Sequence, residues 1–141
     1  VLGVVMRSKV LYETDNRFVL KDTDRLKEYL FSLYADTIAE RAYILFLNKG
    51  FRLIKYELIC EGSIDEVYLD IKMAVRRALM NHAAYVVLTH NHPSGLVFPS
   101  DSDIISTREL SEALNTVKIG FWDHVIVGGN QYYSFRESRN Y

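Results

Sequence analysis

Cysteine and proline are nearly absent: among 141 residues there is one cysteine and there are two prolines. Cys60 alone excludes an intramolecular disulfide, and its neighbours Leu58 and Ile59 predict a small hydrophobe packed in a core. Such sparing use suits a reducing compartment, so a cytoplasmic location is expected. Long hydrophobic runs are also missing. Ala83-Ala84-Tyr85-Val86-Val87-Leu88 is far too short to span a bilayer, and no membrane association is expected. Val1-Leu2-Gly3-Val4-Val5-Met6 lacks the basic lead-in and the length of a secretory signal core. Nor is there an excess of positive charge. Lys+Arg total 17 against 18 Asp+Glu, a formal net charge of -1. A dedicated duplex-binding domain carries a basic excess, because phosphate neutralisation dominates its affinity. Nucleic acid is therefore a possible partner that net charge does not support.

What remains is an ordinary globular balance, 49% hydrophobic and 25% charged, with no internal repeat. The length suits a single domain over 1–141, able to bury about two-thirds of the surface of its unfolded chain. Residues 1–20 read as a strand-like N-terminal extension. Asp22 can cap a helix whose apolar positions Leu26, Tyr29, Leu30, Leu33 and Tyr34 recur at helical spacing. Ala42–Leu47 and Phe51–Cys60 flank Asn48-Lys49-Gly50 and read as a hairpin. A helix over roughly Val67–His82 would place Ile71, Val75, Ala78 and Leu79 on one face. Ala84–Thr89 suits a fully buried strand, and His90–Pro99 a loop holding both prolines. Ser100 opens a further helix through Ile104, Ile105, Leu110 and Leu114, ending near Gly120. Trp122–Val127 and Gln131–Phe135 form a last hairpin across Gly128-Gly129-Asn130. Strands and helices alternating between terminal hairpins predict an α/β fold with a central mixed sheet and helices on its faces.

The chemistry concentrates between His90 and Asp103. Side chains alternate along extended chain, so His90 and His92 point to one side and Asn91 to the other. Pro93 holds His92 extended. Asp103, in the first turn of the next helix, is a third donor, kept ionised by the helix N-terminus as a metal requires. Two nitrogens and one oxygen leave the fourth tetrahedral position open, the pattern of a catalytic zinc. The same residues have plainer readings. His90-Asn91-His92-Pro93 also reads as a polar loop, and Ser100 followed by Asp103 as a helix cap. His82 fits a structural place at a helix C-terminus, and Asp123-His124 a packed polar pair or a support behind a metal ligand. Gly95 permits a backbone turn.

His90-x-His92, seven residues, Ser100, two residues and Asp103 is the JAMM signature of JAB/MPN domains, and His90–Gly95 with Pro99-Ser100 resembles their bacterial RadC branch. Glu40–Leu47, Glu61–Ile64, Arg77–Leu79 and Trp122–Gly128 resemble it too, so the likeness covers about 23–137. It implies a three-layer α-β-α sandwich of JAB/MPN (cytidine-deaminase-like) type. It implies one zinc ion per chain, held by His90, His92 and Asp103. Ser100 would hydrogen-bond the oxyanion or the attacking water, and Glu40 would be the general base. The implied reaction is JAMM-type metallopeptidase or isopeptidase chemistry, with zinc-activated water attacking an amide carbonyl of a peptide or isopeptide substrate. The alternative is a DNA repair or recombination accessory protein acting on or binding nucleic acid. A zinc deaminase is excluded by the lack of a Pro-Cys-x-x-Cys ligand pair. Leu96-Val97-Phe98 depart from the branch's usual polar residue and proline, and predict an apolar rim to the site. Oligomeric state is left open by the residues.

Overall fold

The computed structural model describes residues 18–61 and 69–139. The N-terminal extension up to residue 17 and the expected helix start at Val67 lie outside these. Among the described residues nine elements follow in order: α1 (Thr23–Tyr34), β1 (Arg41–Leu47), β2 (Leu53–Glu61), α2 (Ile71–Met80), β3 (Tyr85–Asn91), α3 (Asp101–Thr116), β4 (Gly120–Gly128), β5 (Gln131–Ser134) and the single turn α4 (Phe135–Ser138).

The strands form one sheet in the order β2-β1-β3-β4-β5. β1 pairs antiparallel with β2 and with β3, β3 runs parallel to β4, and β5 returns antiparallel to β4. The parallel step needs a crossover, which α3 supplies. Alternation then sorts the strand residues by face. Tyr43, Leu45, Leu47, Val87, Val125 and Val127 join α1 residues Leu26, Leu30 and Leu33 in one core. Ile44, Phe46, Val86 and Leu88 pack with Ala74 and Ala78 of α2 and Leu110 and Leu114 of α3 on the opposite face. Both faces are covered, which is why β1 reads as an unbroken apolar run. The result is the expected three-layer sandwich around a mixed sheet.

Helix boundaries follow local chemistry. The Asp22 carboxylate accepts from Arg25 N–H at 2.9 Å and starts α1, as anticipated. Other expectations shift. α2 buries Ala74 and Ala78 and packs Ile71 and Val75 against the same core, whereas Leu79 is 49% exposed. α3 buries Thr107 alongside Leu110 and Leu114, leaves Ile105 outside, and ends at Thr116, four residues ahead of Gly120. None of the described helices is long and apolar enough to cross a membrane.

Candidate metal centre

β3 runs through His90 and Asn91 before the chain turns, so His90 is a strand residue and not a loop residue. It pairs with Ala42 of β1 and Ile126 of β4, and its side chain is 2% exposed. His92 follows, tied to β4 by its N–H donating to Val127 O at 2.8 Å. The turn His92–Gly95 closes with Gly95 in the left-handed region at φ 88. A Cβ on Gly128 would meet Gly95 O at 2.8 Å, so glycine there lets the histidine turn rest directly on the end of β4. α3 begins immediately after, its first turn held by reciprocal bonds. Ser100 Oγ accepts from Asp103 N–H at 3.0 Å, and the Asp103 carboxylate accepts from Ser100 N–H at 2.9 Å. The helix-cap reading is thus correct, and it places the carboxylate rather than competing with it.

These local structures bring three donors together. His90 Nε2 and His92 Nε2 are 3.0 Å apart, and Asp103 Oδ2 is 3.6 Å from His90 Nε2. One atom from each residue lies within 4.8 Å of the others. Ligand atoms at 2.0–2.1 Å from a tetrahedral ion sit roughly 3.3 Å from one another, and the two separations at His90 lie on either side of that value. Protonation fits as well. His92 Nδ1 lies 2.6 Å from Leu96 O; a carbonyl only accepts, so Nδ1 carries the proton and Nε2 presents a lone pair. Burial alone would raise the Asp103 pKa, but the adjacent His90 and the Ser100 N–H hold it well below the ordinary carboxylate range. The carboxylate is ready as a ligand.

Asn91 faces away from the histidines, as alternation requires, and does something spacing could not reveal. Its amide N–H donates to Ala39 O at 3.0 Å, and its carbonyl accepts from Arg41 N–H at 2.7 Å. One side chain grips the backbone on both sides of Glu40. Glu40 precedes β1, two residues ahead of Ala42, the partner of His90. Its carboxylate also contributes, after burial, to raising the pKa of Cys60. Cys60 is only part-buried, contrary to the core placement expected, because it lines a cavity of about 210 Å3 with Ile59, Met73, His90 and Asp103.

Residues 20–140 match the family described as the RadC-like JAB domain. This chain belongs to that family. A UPF0758 protein of Vibrio campbellii is 40% identical over 133 residues, covering 94% of this chain and 59% of that protein. One of Vibrio vulnificus is 41% identical with the same coverage, and one of Aliivibrio fischeri is 34% identical over 135 residues and 60% of its length. The chain therefore spans about three-fifths of the length of the curated relatives it matches.

In this RadC-like domain the expected apolar rim is narrower than the sequence implies. Leu96 and Phe98 are 66% and 76% exposed, but Val97 turns inward against Ile126 and Phe135. Asp123 and His124, expected to form a polar pair, point to opposite sides of β4. His124 meets His90 and Thr107, whereas Asp123 accepts from Ser134 Oγ at 2.6 Å and Arg136 N–H at 3.0 Å. Neither Thr107 nor Asn91 stood out as a site residue, because threonine in a helix and asparagine in a loop have many ordinary uses.

Asp123 predicts a pH effect. Burial raises its pKa from 3.8 to about 6, outweighing the donors around it. The folded state therefore holds the proton more tightly, and this contribution to stability is complete below about pH 4 and lost as pH rises through 6. At 1.36 kcal/mol per pKa unit the loss is about 3 kcal/mol. Denaturant unfolding of wild type and Asp123→Asn from pH 4 to 7 should show their stability difference shifting by that amount in favour of the asparagine variant. A pH-independent difference would show that Asp123 is ionised throughout.

Proposed function

We propose that this chain is a zinc-dependent hydrolase of amide bonds that acts on a peptide or isopeptide. The observation that carries the reading is the convergence of two imidazoles and an ionised carboxylate on one point, with His92 and Asp103 part-exposed. Three protein donors leave a fourth position for solvent or substrate, as catalytic zinc sites do. When bound, zinc at such a site supplies Lewis acidity and lowers the pKa of its water to about 7.

The chain's own groups supply the remainder. Glu40, steadied by the Asn91 grip on either side of it, is the proton acceptor and later returns the proton to the leaving amine. Ser100 Oγ spends a lone pair on Asp103 N–H, which leaves its hydroxyl proton free to donate to a developing oxyanion. Leu96 and Phe98, exposed beside the histidine turn, offer an apolar edge to an extended peptide. One three-donor cluster was found among the described residues, whereas phosphodiester cleavage commonly uses two metals about 3.5–4 Å apart.

The test is a substrate screen of the zinc-loaded protein against peptide and isopeptide libraries, and against single-stranded and branched DNA. Zinc-dependent cleavage of an amide substrate is the expected result. Zinc-dependent cutting of DNA that is lost in Glu40→Gln, without any peptide cleavage, would replace the proposal with the nucleic-acid reading.

A further inference from the structure

Behind His90 lies a chain of hydrogen-bonding groups that reaches the inner face of α3. His90 Nδ1, the nitrogen turned away from His92 and Asp103, is 2.9 Å from His124 Nε2. His124 Nδ1 is in turn 2.6 Å from Thr107 Oγ1. All three residues are buried, with 2%, 2% and 0% exposure. His124 is stacked on Phe135, ring centroids 4.6 Å apart and planes within 5°, so its ring cannot turn freely. Thr107 stands one helical turn beyond Asp103, on the same side of α3.

Each neutral imidazole carries one proton, and this decides what the chain can do. A cation on His90 Nε2 requires that nitrogen bare, so the proton sits on Nδ1 and is donated to His124 Nε2. The His124 proton is then on Nδ1 and is donated to Thr107 Oγ1. A hydroxyl can accept or donate, so the chain can also run the other way, with a proton on His90 Nε2. That direction blocks the metal position. We propose that His124 and Thr107 are positioning residues that hold His90 in its metal-binding tautomer, with Thr107 as the terminal acceptor. The inference rests on His90 being a metal ligand and adds two residues, one on β4 and one on α3, to the metal centre. Outer partners of this kind typically set metal affinity within 10–100-fold.

Zinc affinity is measured by competition with a chromophoric chelator for wild type, Thr107→Val, Thr107→Ser, His124→Leu and His124→Gln. Valine and leucine remove an acceptor, and each should weaken binding 10–100-fold. Serine restores the hydroxyl and glutamine offers a carbonyl to His90 Nδ1, so both should recover most of the loss. Melting curves of the metal-free proteins separate folding from binding. Losses that follow the metal-free melting temperature and are not recovered by serine or glutamine would make the two residues merely structural. Two-bond 1H–15N spectra of the zinc-loaded wild type should show His124 protonated at Nδ1; a proton on Nε2 would overturn the proposal. Equal zinc affinity in all five proteins would also overturn it, while leaving the ligand assignment standing. Failure of the wild type to take up zinc would overturn both.

Discussion

His92→Ala and Asp103→Ala are each expected to reduce bound zinc from about one ion per chain to a trace after dialysis, read by elemental analysis. Among the described residues three protein donors meet at the site, so each deletion would remove a third of the protein coordination available to an ion. The two variants also differ usefully. His92 lies on the turn after β3, where its imidazole is bonded to the carbonyl of Leu96, so its removal disturbs little beyond the site. Asp103 additionally completes the cap of α3, and alanine there loses the bond from Ser100 N–H. Ser100→Ala separates these roles. It deletes the bond to Asp103 N–H and should cost about 1 kcal/mol of stability, yet it should keep its zinc. Full zinc in both His92→Ala and Asp103→Ala would show that the cluster is a polar turn and helix cap without a ligand role.

The other large effect belongs to Glu40. Glu40→Gln should leave zinc content unchanged and lower amide hydrolysis by roughly 10²- to 10⁴-fold, the usual contribution of a general base. Glu40 precedes β1, whose residue Ala42 pairs with His90, so only two residues separate Glu40 from the partner of a proposed ligand. Asn91 bonds the backbone at Ala39 and Arg41 and limits how far that segment can move. Glutamine is nearly isosteric but cannot take a proton, so zinc content and fold serve as internal controls. Activity retained within a few-fold, with normal zinc, would transfer the base role to another acid. Glu61 would then come first, since it lies across from Arg41 at the site end of β2, although its ion pair with Arg41 occupies it.

Much of the candidate site is legible in the sequence, and for a physical reason. His90, His92, Ser100 and Asp103 lie within a stretch where geometry is set locally. Alternation along extended chain aims both histidines the same way, and a capped helix start fixes the carboxylate. The alternation of apolar runs and amphipathic helices likewise implied a sheet covered on both faces. Element ends and helix faces were less legible: β3 extends to Asn91, and Leu79 of α2, expected in the core, is half exposed. Those outcomes depend on how closely neighbouring elements approach, which no local pattern encodes.

What the sequence determined by itself, then, was the candidate donor set, the layered α/β architecture and the chemistry that three such groups would permit. Tertiary structure decided which distant groups stand behind them. His124 is 34 residues from His90, Thr107 is 17 from His124, and Asn91 is 50 from the Arg41 N–H that it holds. Each of those contacts follows from strand order and register: β4 beside β3, β1 on the other side, α3 crossing over the face. Sheet register is settled by the summed packing of Ile44, Phe46, Val86, Leu110 and their neighbours in the cores. A histidine on β4 becomes the partner of a histidine on β3 only once that packing has set the two strands side by side.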